Sequence, residues 1–311
     1  MELLDQDAVR RGRRNILDGL ALAEGPTVLP DGSLAFVEIK SGRLRRWSET
    51  AGLGEIADLG GGPNGAALGL DGLLYVVNNG GFDWAAMEGR PDGDPDTREP
   101  SWAPTDYRGG WIDRVNPDTG EVERLHGPES QPWLRGLNDI VSDRRGGFWA
   151  TDFGKRRPYE IDTGGLVHIK GDGGEVEFEP GWALTPNGVG VAPDGQTVYV
   201  SETMTGRVVA FGVDASGRAE RARRIIAATP YRLDSMAVEA SGVIVVAVLD
   251  GGLLLVSPDG RLVEYLAVGD SCTNVCFGGA DLQTLYVTTH TSLFSLPWPR
   301  PGLPQPGNAG R

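Results

Sequence analysis

A short sequence pattern recurs six times along the chain and limits the folds that the chain can adopt. In each copy a polar residue stands in an apolar stretch, a turn sequence follows, and an apolar run comes after the turn. Pro186-Asn187-Gly188 with the later turn Pro193-Asp194-Gly195 is one example. The polar residues of the six copies are Glu24, Asn64, Asn138, Asn187, Asp234 and Asn274.

The spacing between the copies predicts an all-β protein built as a six-bladed β-propeller. Repeats of about 40 to 50 residues that hold four strands each are typical of propeller blades. We expect residues 1–311 to form one such domain, with an insertion at 80–110 in the second blade and a Pro-rich tail at 297–311. The last copy is short, so the N-terminal stretch is expected to complete the sixth blade. A pair of β-sandwiches is the alternative, but it does not explain the shared register.

Composition excludes several classes of partner. The chain has 29 Lys and Arg against 43 Asp and Glu, for a net charge of −14, which disfavours nucleic acid and anionic membranes as partners. No apolar run approaches the ~20 residues of a membrane span, and Met1–Arg14 is charged rather than signal-like. The two cysteines, Cys272 and Cys276, are expected to be buried thiols in a reducing compartment. These features predict a cytoplasmic protein.

The six polar residues are expected to converge on one site. The first strand of each blade lines the central channel of a propeller, so residues in the same register point at one axis. All six carry side-chain oxygens, and carboxylates with amide carbonyls suit a hard divalent cation such as Ca²⁺ or Mg²⁺. An Asn before Gly often serves only a turn. Glu24 and Asp234 share the register without suiting a turn, which favours a metal site.

Four stretches of the chain resemble one known family. Glu24-Gly25-Pro26, Asn138-Asp139, Pro186-Asn187-Gly188 and 234–238 (DSMAV) resemble the SMP-30/gluconolactonase family, whose members are regucalcin-like. The resemblance covers about 19–296 and implies a six-bladed propeller with one catalytic divalent metal ion. It carries over Glu24, Asn138, Asn187 and Asp234 as metal ligands. This chain departs from the family pattern at Thr27-Val28 and at Ser235, which puts the identity of the substrate in doubt.

The resemblance also implies a reaction, the hydrolysis of a lactone, commonly a sugar lactone. The expected substrate is therefore a small molecule, and the expected cofactor is one divalent ion. The oxygen-only ligand set favours Ca²⁺, while Zn²⁺, Mn²⁺, Mg²⁺ and Fe²⁺ remain alternatives. Some relatives cleave organophosphates, so a phosphotriesterase-like activity on the same metal is one alternative function. A propeller that binds a metal or ligand without catalysis is another.

Two acidic residues compete for the role of general base, and three other residues are candidates for substrate binding. Asp234 is a ligand beside the reacting water, whereas Asp139 directly follows a ligand. Strict strand alternation would aim Asp139 away from the axis, although a kink at the start of the strand would change that. Asn64 and Asn274 complete the ring and are predicted to contact substrate. Arg135 would hold a substrate oxygen, although such loop arginines are more commonly at the surface.

Overall fold

Six four-stranded antiparallel sheets make up the fold, and each begins with a strand that carries one copy of the repeat. A computed structural model describes residues 3–85, 103–157, 160–171, 173–183 and 185–306. The part of the predicted insertion at 86–102 and the end of the predicted tail at 307–311 lie outside the described residues.

The strands of the six sheets follow the chain in order, apart from the outermost strand of the sixth. The first blade contains β2 (Ala23–Val28), β3 (Leu34–Glu38), β4 (Arg43–Ser48) and β5 (Gly52–Asp58). The second contains β6 (Pro63–Leu68), β7 (Leu74–Asn78), β8 (Trp111–Val115) and β9 (Val122–His126). The third contains β10 (Leu137–Ser142), β11 (Phe148–Asp152), β14 (Gly164–Ile169) and β15 (Val176–Ala183), with the hairpin β12 (Arg156–Arg157) and β13 (Glu160–Ile161) inserted.

The second half of the chain repeats this arrangement. The fourth blade contains β16 (Pro186–Val191), β17 (Thr197–Glu202), β18 (Arg207–Val213) and β19 (Ala219–Ala228). The fifth contains β20 (Leu233–Val238), β21 (Ile244–Val248), β22 (Gly252–Val256) and β23 (Val263–Ala267). The sixth contains β24 (Cys272–Gly278), β25 (Thr284–Thr289) and β26 (Ser292–Pro297).

The N-terminal segment supplies the fourth strand of the sixth blade. A short helix, α1 (Gln6–Arg11), precedes β1 (Arg14–Asp18), and β1 pairs antiparallel with β26. The sixth sheet therefore joins the two ends of the described chain through main-chain hydrogen bonds. None of the helices in the described ranges is long and apolar enough to cross a bilayer.

The first strands of neighbouring blades contact one another in a closed ring around the channel. Each of these strands contacts the next one, in the order β2, β6, β10, β16, β20 and β24, and β24 contacts β2 again. The prediction of an all-β, six-bladed β-propeller is therefore confirmed. The ring places the starts of six first strands, and so the six repeated polar residues, around a single axis.

The core lies between the blades rather than inside any one of them. Six apolar clusters each join two neighbouring sheets; in one, Val208 and Ala210 of the fourth blade pack with Val246 of the fifth. Sheets stacked in this way are covered on both faces, which explains why β21 and β22 are apolar and buried throughout. Full burial of each such Val or Leu side chain contributes about 1.5–3 kcal/mol.

The turns of the repeat are held by their own acidic side chains. Asp31 Oδ1 accepts from the backbone N–H of Ser33 at 3.0 Å, and Asp71 Oδ1 accepts from that of Leu73 at 3.1 Å. Gly32, which lies between Asp31 and Ser33, has a φ of 83°, a conformation that glycine adopts at little cost. The Asp-Gly pairs of the sequence thus fix the hairpin between the first two strands of a blade.

Candidate active site

A break in strand pairing occurs at the start of the first strand in all six blades. The register shifts lie between Glu24 and Thr27, Pro63 and Gly65, Leu137 and Ile140, Pro186 and Val189, Leu233 and Met236, and Cys272 and Asn274. Such bulges end strict alternation and re-aim side chains. This is why consecutive residues such as Asn138 and Asp139 can both face the channel.

Glycines beside the repeated polar residues let neighbouring first strands approach each other closely. A Cβ added at Gly188 would come within 2.6 Å of the Cα of Ser235, and one at Gly65 within 2.9 Å of the Cα of Asp139. Asn64 and Asn187 lie inside β6 and β16, not in turns. The Gly of each Asn-Gly pair is therefore required by the packing around the channel.

One cavity at the channel, which we call the ligand cavity, collects five of the six repeated residues. It is lined by Glu24, Asn64, Asn138, Asn187 and Asp234. All except Asn138 are buried, with Glu24 only 3 % and Asp234 6 % exposed. The four residues predicted as metal ligands thus share this cavity with Asn64.

The two carboxylates are held by nearby donors. Glu24 Oε2 accepts from Asn274 Nδ2 at 2.9 Å and from the backbone N–H of Gly25 at 3.1 Å. Asp234 Oδ1 accepts from the backbone N–H of Ser235 at 3.0 Å. The second oxygens of these carboxylates, Glu24 Oε1 and Asp234 Oδ2, take part in none of these bonds and can bind a ligand.

Hydroxyl groups on the second strand of one blade fix the backbone of a ligand residue in the next blade. The Ser201 hydroxyl donates to the carbonyl oxygen of Asp234 at 2.6 Å, and the Thr151 hydroxyl donates to that of Asn187. Thr203 Oγ1 accepts from Asn187 Nδ2 at 3.1 Å, which orients that amide. These bonds lock the bulged backbone against the neighbouring sheet.

The donor set fits a divalent cation. Asn138 Oδ1 is buried and has no hydrogen-bond partner among the described residues, although buried carbonyl oxygens normally have one. In the part of the chain that the structure describes, no three His, Cys, Asp or Glu side chains could hold a metal on their own. Two carboxylates with two amide oxygens are the ligands that Ca²⁺ and Mg²⁺ prefer.

The electrostatics of the cavity also favour a cation. Burial raises the pKa of Glu24 well above its ordinary value, and the charges of Asp234 and Asp139 raise it further. Burial and the charge of Asp139 likewise raise the pKa of Asp234. Three buried carboxyl groups that repel one another need a positive charge if they are to stay ionised.

Asp139 and Asn274 line a second cavity of the channel, which we call the apolar cavity. Asp139 is buried and its Oδ2 accepts from the backbone N–H of Val189 at 3.1 Å. Burial raises the pKa of Asp139 to about 7, against the opposing effect of its hydrogen bonds. Both residues still act on the ligand cavity, because Asn274 donates to Glu24 and the charge of Asp139 acts on Glu24 and Asp234.

Arg135 is not brought to either cavity by the structure. Its side chain is exposed, and its backbone N–H donates to Asp152 Oδ2 at 2.7 Å.

The polar residues at the ends of the second strands hold the loop that precedes the first strand of the same blade. Asp152 also accepts from the backbone N–H of Gly136, Asn78 from that of Gly62 and Glu38 from that of Ala21.

The ligand cavity contains residues that the repeat did not single out. Lys155, Asn79 and Phe82 line it together with His290 and Thr203. Asn79 directly follows β7, and Lys155 lies three positions after β11. Loops that leave the second strands therefore supply this wall. A polar residue just beyond the end of a second strand is the sequence pattern that could have identified Asn79 and Lys155.

Comparison with known proteins agrees with this architecture. The model of the SMP-30/Gluconolactonase/LRE-like region matches residues 22–291. Among curated proteins, pentonolactonase XacC of Haloferax volcanii is 28% identical over 278 residues, which cover 86% of this chain and 81% of the relative.

Two solved structures share the fold at lower identity. A protein of Xanthomonas campestris described as a gluconolactonase superposes with a TM-score of 0.74 at 23% identity, covering 96% of this chain and 94% of the other. A calcium-binding protein of Agrobacterium tumefaciens described as regucalcin superposes with a TM-score of 0.69 at 19% identity, covering 93% of this chain and 97% of the other. At these identities the likeness extends to the fold alone.

Proposed function

The chain belongs to the SMP-30/gluconolactonase/LRE-like family, and we propose that it is a hydrolase that opens a lactone with the help of one bound divalent cation. The observation that carries the proposal is the shared cavity of Glu24, Asn138, Asn187 and Asp234, in which Asn138 Oδ1 has no partner among the described residues. The lactonase name of the Haloferax relative supports the reaction class, and the carboxylate and amide donors support Ca²⁺ first among the metals.

The chain's residues divide the work of hydrolysis between them. Glu24, Asn138, Asn187 and Asp234 would hold the cation. When bound, a divalent cation supplies a Lewis acid that polarises the ester carbonyl and stabilises the negative charge that develops there. Asn64 lies in the same cavity and would orient the substrate by hydrogen bonding.

A carboxylate must still accept a proton from the attacking water. Asp234 lines the ligand cavity itself, whereas Asp139 lines the other cavity and acts on Glu24 and Asp234 through its charge. A base works best when its pKa lies near the operating pH. Burial raises the pKa of Asp139, which is the direction that suits a base at neutral pH. Asn274 would support catalysis by holding Glu24 in place.

The test is an activity panel on protein stripped of metal with a chelator. Aliquots receive Ca²⁺, Mg²⁺, Mn²⁺, Zn²⁺ or Fe²⁺ and are assayed for proton release from γ- and δ-lactones and from a phosphotriester. We expect no lactone turnover without metal and restored turnover with at least one ion, Ca²⁺ before the others.

Two outcomes would contradict the proposal. A folded, metal-loaded protein that opens no lactone would favour a binding protein without catalysis. Turnover of the phosphotriester alone would assign the same site to a different hydrolysis. Circular dichroism of the stripped protein serves as the control, because loss of fold on metal removal would otherwise imitate loss of catalysis.

A further inference from the structure

Lys155 is a fully buried lysine without an acidic partner among the described residues. Its side chain is 2 % exposed, and its Nζ donates to the Gly81 carbonyl oxygen at 2.6 Å and to Asn79 Oδ1 at 3.1 Å. The same Nζ lies 4.1 Å from the centre of the Phe82 ring. Among the described residues no carboxylate forms an ion pair with it. Lysines are almost never buried to this degree without a counter-charge.

A second donor without a partner lies beside it. Asn79 is 2 % exposed, and its Nδ2 has no hydrogen-bond partner in the described ranges. Its Oδ1 is already used twice, by Lys155 and by the backbone N–H of Gly81 at 2.8 Å. Both Asn79 and Lys155 line the ligand cavity. This wall therefore offers a positive charge and an amide N–H without a partner among the described residues.

We propose that Asn79 and Lys155 form a subsite for an anionic substituent on the lactone, such as a carboxylate. The inference rests on the proposed lactonase function and names its substrate class. A carboxylate would supply the acceptors that both donors need and the counter-charge that the buried ammonium needs. A neutral hydroxyl group fits less well, because it supplies no counter-charge to the buried ammonium.

The charges of the cavity also orient such a substrate. Glu24 and Asp234 line the cavity and repel an unpaired carboxylate, whereas Lys155 and Arg156 line the same cavity and attract one. An anionic lactone would thus place its substituent at Asn79 and Lys155, with its ring carbonyl directed towards the acidic side. Phe82 would cover the apolar face of the sugar carbons.

The experiment compares two lactones that differ only at carbon 6, D-glucaro-1,4-lactone with a carboxylate and D-glucono-1,4-lactone with a hydroxymethyl group. We expect the wild-type protein to prefer the carboxylate. Lys155→Met should lower kcat/KM for the glucarolactone about 30-fold, chiefly by raising KM, and that for the gluconolactone only about threefold. Lys170→Met is the matched control, because Lys170 pairs with Glu175 and Glu177 away from the cavity, and it should leave both values unchanged.

Asn79→Asp tests the same subsite without removing the lysine. It keeps the oxygen that serves Gly81 and Lys155 but replaces the free Nδ2 by a carboxylate oxygen, so it should abolish the preference for the glucarolactone. Equal losses for both lactones in Lys155→Met, or no wild-type preference, would overturn the subsite.

Binding measurements separate the two proposals. If neither lactone is turned over, calorimetric titration of each lactone still tests the subsite. Tighter binding of the glucarolactone that is lost in Lys155→Met would support it even though the proposed lactonase function had failed. Equal binding of the two lactones would refute the subsite.

Discussion

The two cavities of the channel are built from the same six strands, yet they collect different residues of the repeat. The ligand cavity is lined at the strand starts by carboxylates and amides. The apolar cavity is lined further along the same strands by small and branched residues, such as Val189, Val191 and Val238, and by 303–306 of the C-terminal segment. One repeat unit therefore specifies a reactive end and an inert end, and each copy contributes to both.

The boundary between the cavities passes through Asp139 and Asn274. Both line the apolar cavity, yet Asn274 Nδ2 donates to Glu24 and the charge of Asp139 acts on Glu24 and Asp234. A residue can therefore influence the reactive end without lining it. The predictions below test how sharp this boundary is.

The largest effect is expected at the reactive end. Asp234→Asn and Glu24→Gln keep the size of each side chain but remove one negative charge from a site that needs two. We expect loss of metal binding by calorimetry and a fall in kcat/KM of about 10³-fold or more. Gln305→Ala is the matched change at the inert end, where Gln305 Oε1 accepts from the Thr27 hydroxyl.

That control should leave turnover unchanged and lower stability by about 1 kcal/mol, the contribution of one ordinary hydrogen bond. If Gln305→Ala reduced kcat/KM as strongly as Asp234→Asn, the division of the channel into two ends would be wrong.

A smaller effect is expected at the boundary. Asp139→Asn removes a proton acceptor while keeping the shape that accepts from Val189, so kcat should fall about 100-fold. Metal affinity should change by less than about tenfold, because Asp139 does not line the ligand cavity. Parallel measurement of turnover and metal affinity distinguishes a base from a ligand. A loss of metal binding equal to that of Asp234→Asn would place Asp139 in the metal centre.

The smallest effect concerns pH and the wall around Lys155. Burial lowers the pKa of Lys155 well below its ordinary value, the charge of Arg157 also lowers it, and Asp152 and Asp162 raise it. The ammonium form exists below this lowered pKa, and the substrate carboxyl group is ionised only above its own pKa. The preference for an anionic lactone should therefore be full between these two pKa values and decline as pH rises through that of Lys155. We expect at most about a tenfold decline in the ratio of kcat/KM for the glucarolactone to that for the gluconolactone. In Lys155→Met the ratio should not vary with pH, and a wild-type ratio that rises with pH would contradict the prediction.

The fold could be predicted because each blade repeats the same local rules. Asp-Gly turns fix the hairpins, and apolar runs are buried on both faces between blades. A shared register in six copies leaves few other architectures. The same register brought Glu24, Asn138, Asn187 and Asp234 into one group, which the structure places around one cavity.

The rest of the site depends on features that the repeat does not encode. Strict alternation would aim Asp139 outward, and the bulge, a break in the pairing of β10 with β11, turns it into the channel. Lys155 and Asn79 belong to loops of different blades, so their contact depends on the packing of the third blade against the second. Arg135 shows that closeness in sequence is not sufficient, because it lies three positions before Asn138 and its side chain still does not line the cavity.

The pairing of β1 with β26 also sets an order of events during synthesis. Arg14 is made long before its partner Ser295, so the sixth sheet cannot be completed until synthesis has passed β26. Until then, the growing ring has no closing strand, and contacts between such distant residues form slowly. A chain that loses Arg14–Asp18 would leave the edge of β26 unpaired, as a template on which other chains can assemble.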